Sequence, residues 1–87
     1  MTRKRLHTEQ IMPTVFRQDG YTFRIYPNDH PPAHVHVQRA EGEARVTLNP
    51  VTLQTNIGFS PREISRILEI VTTRADELLA VWRLYHE

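Results

Sequence analysis

The stretch that decides the fold is Thr14-Val-Phe-Arg-Gln-Asp-Gly-Tyr-Thr-Phe-Arg-Ile-Tyr26, "TVFRQDGYTFRIY". Two β-like runs flank Asp19-Gly20. An Asp-Gly pair between alternating runs is a strong signal for a two-residue hairpin turn, because both central positions need positive φ. Taken literally, that turn pairs Phe16 with Phe23 and Thr14 with Ile25. These residues share one face with Tyr21. Val15, Arg17, Thr22, Arg24 and Tyr26 take the other.

Downstream, Pro27-Asn28-Asp29 through Pro31-Pro32 reads as a loop, since consecutive prolines cannot donate to a ladder. A third run, His34 to Gln38, points Val35 and Val37 one way and His34 and His36 the other. After a turn at Glu41-Gly42, a fourth run from Glu43 to Leu48 turns Ala44, Val46 and Leu48 inward and Arg45 and Thr47 outward. Asn49-Pro50 breaks it. Val51-Thr-Leu53 is a candidate short fifth strand, and Asn56-Ile-Gly58 a turn. Ser60-Pro61-Arg62-Glu63 has the form of a capping box with proline at the first helical position. Behind it Ile64, Ile67, Leu68, Val71, Ala75, Leu78, Leu79, Trp82 and Tyr85 keep helical spacing. Thr72-Thr73 is a weak point, but the unbroken apolar phase predicts one long helix. The expected architecture is α+β: a mostly antiparallel sheet of four to five strands packed on one long C-terminal helix. One helix covers part of one face and leaves the other open to solvent or a partner.

Composition bounds the rest. The chain has 87 residues, which fits one small domain at 12–87 behind a basic, flexible tail at 1–11. There is no cysteine, so neither a disulfide framework nor a thiolate metal site is available. No apolar run approaches the ~18–20 residues of a membrane span. The N-terminus lacks the apolar stretch of a secretory signal, so the expected location is the cytoplasm. A net charge of +1 is too small to argue for nucleic acid on its own. Local clustering says more: Arg3, Lys4 and Arg5 stand against Glu9 in the tail. Arginine supplies ten of the eleven basic residues. GC-rich coding gives the same bias, but guanidinium groups also suit bidentate phosphate or carboxylate binding.

Several spaced motifs carry a family resemblance. Met12-Pro-Thr-Val-Phe-Arg17, Gly20-Tyr21, Asn28-Asp29-His30, His34-Val-His36-Val, Asn49-Pro-Val51, Gly58-Phe59 and Trp82-x-x-Tyr85 together resemble the uncharacterised bacterial domain of unknown function 4160. The likeness runs from Met12 to about His86. That family's usual pattern has Pro-Pro-His where this chain has Pro31-Pro32-Ala33-His34. The resemblance implies a small protein encoded beside another small gene, in an arrangement like a toxin–antitoxin pair. It implies no reaction.

The chemistry-bearing residues lie in "HPPAHVHV", His30 to Val37. In a strand His34 and His36 project from one face, about 6.5–7 Å apart. That geometry can chelate an ion, with His30 or Asp29 brought round by the Pro31-Pro32 elbow as a third ligand and zinc, manganese or iron as the candidate metal. The same two imidazoles suit metal-free cleavage of RNA, one as base and one as acid, with Arg17, Arg24 or Arg45 holding the phosphate. A third reading is a binding platform. Arg17, Arg24, Tyr26, His34, His36, Arg45 and Thr47 then share the helix-free face and meet a partner protein encoded nearby, or single-stranded RNA. The open face also leaves a homodimer available. The bland alternative is a solvated strand face. Of these, the leading expectation is partner or RNA binding within a two-gene system. A ribonuclease-like phosphodiesterase using His34 and His36, with or without metal, is the alternative. His86 is expected to be solvated, and Asp29 to cap its own loop through backbone amides.

Overall fold

A computed structural model describes residues 13–86, so the predicted tail lies outside the described residues. Five strands form one antiparallel sheet in sequence order: β1 (Thr14–Gln18), β2 (Tyr21–Arg24), β3 (His34–Arg39), β4 (Gly42–Leu48) and β5 (Val51–Ile57). Two helices follow, α1 (Pro61–Thr73) and α2 (Ala75–His86).

The hairpin at Asp19-Gly20 forms as its residues require, with φ of 56° and 84° at the two turn positions. Phe16 pairs with Phe23, and their rings stack at 4.5 Å. Thr14 pairs with Arg24, however, and not with Ile25, because the register shifts between Thr14 and Phe16. A bulged strand sets two residues against one, and turn counting alone does not see it. The fifth strand is also longer than the expected Val51–Leu53. It continues to Ile57, and Gly58, at φ 88°, makes the turn into the helical half.

The core joins the apolar face of the sheet to both helices. Phe23, Ile25, Val35, Val37, Ala44, Val46 and Leu48 cluster with Ile67, Ile70, Val71, Leu78 and Trp82. Phe59 closes one end by packing over Gly42, where a Cβ would run into its ring.

The expected single helix is two helices. The capping box at Ser60 forms in both directions: the Ser60 hydroxyl accepts from the Glu63 amide, and the Glu63 carboxylate accepts from the Ser60 amide. The helix then stops at Arg74, whose φ of −112° and ψ of 21° are not helical. β-branched Thr72 and Thr73 hold helical geometry weakly. The Thr73 hydroxyl adds a bond back to the Glu69 carbonyl, an arrangement that bends helices. The Arg74 guanidinium lies 3.4 Å over the Phe16 ring and bonds Gln18 and Glu77. Those anchors tie the break to the hairpin. The apolar stripe keeps its phase across the break, so the sequence pattern alone reads as continuous.

Candidate functional site

The site is built where β2 leaves the sheet and β3 enters it. Tyr26-Pro27-Asn28-Asp29 closes a turn, with the Asp29 amide donating to the Tyr26 carbonyl at 3.2 Å. Proline at the second turn position presets its φ. The chain returns through Pro31-Pro32, and the Ala33 carbonyl accepts from the Leu48 amide, which fixes the start of β3 on β4. Ala33 therefore has a structural anchor, and it packs against the core.

In the ladder His34 lies opposite Thr47, and His36 lies between Arg24 on β2 and Arg45 on β4. Direct cross-strand partners share a face. Arg24, His34, His36, Arg45 and Thr47 are thus on one face, opposite Val35 and Val37. Arg17, paired with Thr22 beside Gln38, lies on that face as well.

The observed face is not the open, helix-free platform expected. Both imidazoles are buried, with 5% exposure for His34 and 8% for His36. β3 is the central strand, and three neighbours close over its polar side. Tyr26 packs edge-on against His36 at 4.8 Å, and Trp82 of α2 tilts against His34 at 5.2 Å. The Asp29 carboxylate sits between the rings: its Oδ2 lies 2.8 Å from His36 Nε2 and 3.1 Å from His34 Nε2. Arg17 and Arg45 remain exposed, while Arg24 and Tyr26 are half-buried.

Proton placement follows from the partners. His34 Nδ1 lies 2.8 Å from the Pro32 carbonyl, which can only accept, so that nitrogen carries hydrogen. A neutral ring then aims its Nε2 lone pair at the Asp29 oxygen. Two electron-rich atoms 3.1 Å apart need a hydrogen or a metal ion between them. A backbone carbonyl holding one imidazole nitrogen so that the other is free to ligate is the usual outer-shell arrangement of metal-binding histidines.

The distances suit an ion. Ligand bonds near 2.0–2.2 Å place neighbouring donors about 2.8–3.6 Å apart on an octahedral or tetrahedral centre. One donor atom each from Asp29, His34 and His36 lies within 4.8 Å of the others. Two histidines and a carboxylate with open positions form a recognised ligand set for divalent transition metals. His30 is not in this cluster. It is exposed on the rim of an adjoining pocket of about 300 Å³, lined also by Asp29, Pro31, Pro32, His34, Arg45 and Gln54.

Two participants were not legible as such. Gln54 reaches the pocket from β5, where the register slips: Arg45 pairs with Thr55 but Val46 with Leu53, leaving Gln54 extra. Bulges re-aim side chains in this way, and a run of Thr, Gln and Asn carries no signal for one. His86, expected in solvent, stacks on Trp82 at 3.8 Å and spans the Trp82 and Asp29 carbonyls at 2.8 and 2.9 Å. Asp29 itself spends its carboxylate on the imidazoles, not on loop amides.

Among the described residues no helix is long and apolar enough to cross a membrane. Neither the curated proteins nor the solved structures contain a match to this chain. One family model does match, described as "Domain of unknown function (DUF4160)", over residues 20–83. That span holds all three residues of the Asp29–His34–His36 cluster, all of α1 and most of α2, and the chain belongs to the DUF4160 family.

Proposed function

We propose that this domain is a divalent-metal-dependent phosphodiesterase acting on RNA in the cytoplasm, with Asp29, His34 and His36 as the metal ligands. The observation that carries the reading is the His34 ring. Its Nδ1 is committed to the Pro32 carbonyl while its Nε2 faces the Asp29 carboxylate, a pairing that a divalent ion satisfies as well as a proton does. Asp29, His34 and His36 would hold the ion with coordination positions left open, and a bound divalent ion would supply a water acidic enough near neutral pH to attack a phosphodiester. Arg45, exposed beside His36 and lining the pocket, would hold the phosphate.

The metal-free version of the same chemistry fits less well. In-line displacement needs base and acid on opposite sides of phosphorus, whereas both Nε2 atoms converge on one carboxylate oxygen. A second reading is a platform that binds a partner protein or RNA without chemistry, one half of a toxin–antitoxin-like pair. It draws on the exposed Arg17 and Arg45.

Incubating RNA with the protein separates the two. The enzyme reading expects cleavage that a chelator stops, that zinc, manganese or iron restores, and that His34→Ala/His36→Ala abolishes with the fold intact. The platform reading expects RNA or partner binding that the double substitution leaves in place, and no cleavage under any metal.

A further inference from the structure

The C-terminal turn of α2 reaches back across the chain to the same loop that carries Asp29. His86 stacks on Trp82 nearly parallel, at an interplanar angle of 12°. Its Nδ1 meets the Trp82 carbonyl one helical turn earlier, and its Nε2 meets the Asp29 carbonyl 57 residues away in sequence. Both partners are carbonyl oxygens, so each ring nitrogen bonds its partner when it carries hydrogen. Trp82 in turn packs on His34. Two neighbouring side chains of one helix therefore touch two of the three residues in the cluster, one through the main chain of Asp29 and one through the ring of His34. Among the described residues, the remaining fastening of the Asp29 main chain is the turn bond to Tyr26.

We propose that His86 and Trp82 are positioning residues for the metal site: α2 clamps the Asp29 loop so that the carboxylate oxygen stays between the two imidazoles. This rests on the metal reading for its consequence, though the clamp itself does not need a metal to exist. Without the clamp, Asp29 hangs on a loop of exposed Pro27, Asn28, His30, Pro31 and Pro32, and a carboxylate that wanders by an ångström no longer completes a coordination polyhedron. Partners that hold ligands in this way matter to a metal roughly 10- to 100-fold in affinity.

The test uses the full chain and three variants. His86→Phe keeps an aromatic ring over Trp82 and removes both ring nitrogens. His86→Ala removes ring and nitrogens together. Arg83→Ala changes an exposed residue on the same helix as a control. Two readouts are taken on each: hydrogen exchange at the Asp29 amide without metal, and zinc affinity by calorimetry. The clamp predicts faster exchange at Asp29 in both His86 variants, sheet amides unchanged, and zinc affinity lowered roughly 10- to 100-fold, with Arg83→Ala like wild type. Wild-type exchange at Asp29 in His86→Phe overturns the clamp, because stacking alone then holds the loop. Zinc bound equally well by all variants while exchange rises overturns the link to the metal site. A wild-type chain that binds no zinc counts against the metal reading, and the exchange measurement still decides the clamp.

Discussion

At the scale of the residue, the role of each side chain is set by which partner it can accept from or donate to. His34 and His36 were legible as a pair because strand alternation puts residues two apart on one side, and the register bears out the shared face. Their burial was not legible. It depends on Trp82, 46 positions beyond His36, and on a loop whose return path is fixed by main-chain bonds that carry no side-chain signature. Gly42 shows the same limit. In sequence it reads as half of a Glu-Gly turn, whereas in the fold its bare Cα makes room for the buried ring of Phe59. Gly42→Ala is therefore expected to lower stability by about 1–3 kcal/mol, the usual cost of overpacking a rigid site. Urea denaturation followed by tryptophan fluorescence checks it, and a midpoint equal to wild type would contradict the packing account.

At the scale of the element, local signals and long-range ones part company. The Asp19-Gly20 turn and the Ser60–Glu63 capping box depend on residues within four positions of each other, and both form as read. The helix break at Arg74 and the bulges in β1 and β5 depend on contacts across the fold, and the pattern missed all three. The capping box has a measurable acid signature. The Ser60 amide donating to Glu63 holds that carboxyl below its usual value of 4.5, helped by the Ser60 hydroxyl and by Arg39. A group depressed in the folded state adds stability above its unfolded pKa and loses it as pH falls through the folded one. Ser60→Ala removes the hydroxyl half of the box, so its melting temperature should sit below wild type at pH 7 and the gap should narrow in acid below 4.5. A gap that stays constant, or widens, as the pH drops would show that the Ser60 hydroxyl contributes nothing through Glu63.

At the scale of the whole molecule, a meander sheet and a broken helix bring the loop after β2 and the last turn of α2 to one place. The fold class follows from periodicity: alternation for the strands, a spacing of three and four for the helices. The site does not follow from periodicity, because it joins Asp29, His34, His36, Trp82 and His86 from one loop, one strand and one helix. What the sequence does show is a concentration of imidazoles next to a rigid Pro-Pro segment, and that segment returns the chain so that Asp29 meets the two rings. The central claim is that these rings and Asp29 hold a divalent ion. The most direct measurement is the metal content of the chain purified without an affinity tag, by mass spectrometry after equilibration with zinc, manganese or iron and removal of the excess, for wild type and for Asp29→Asn. The account predicts close to one ion per wild-type chain and a large loss in the variant. Wild-type protein with no stoichiometric metal, or Asp29→Asn with as much metal as wild type, would contradict it.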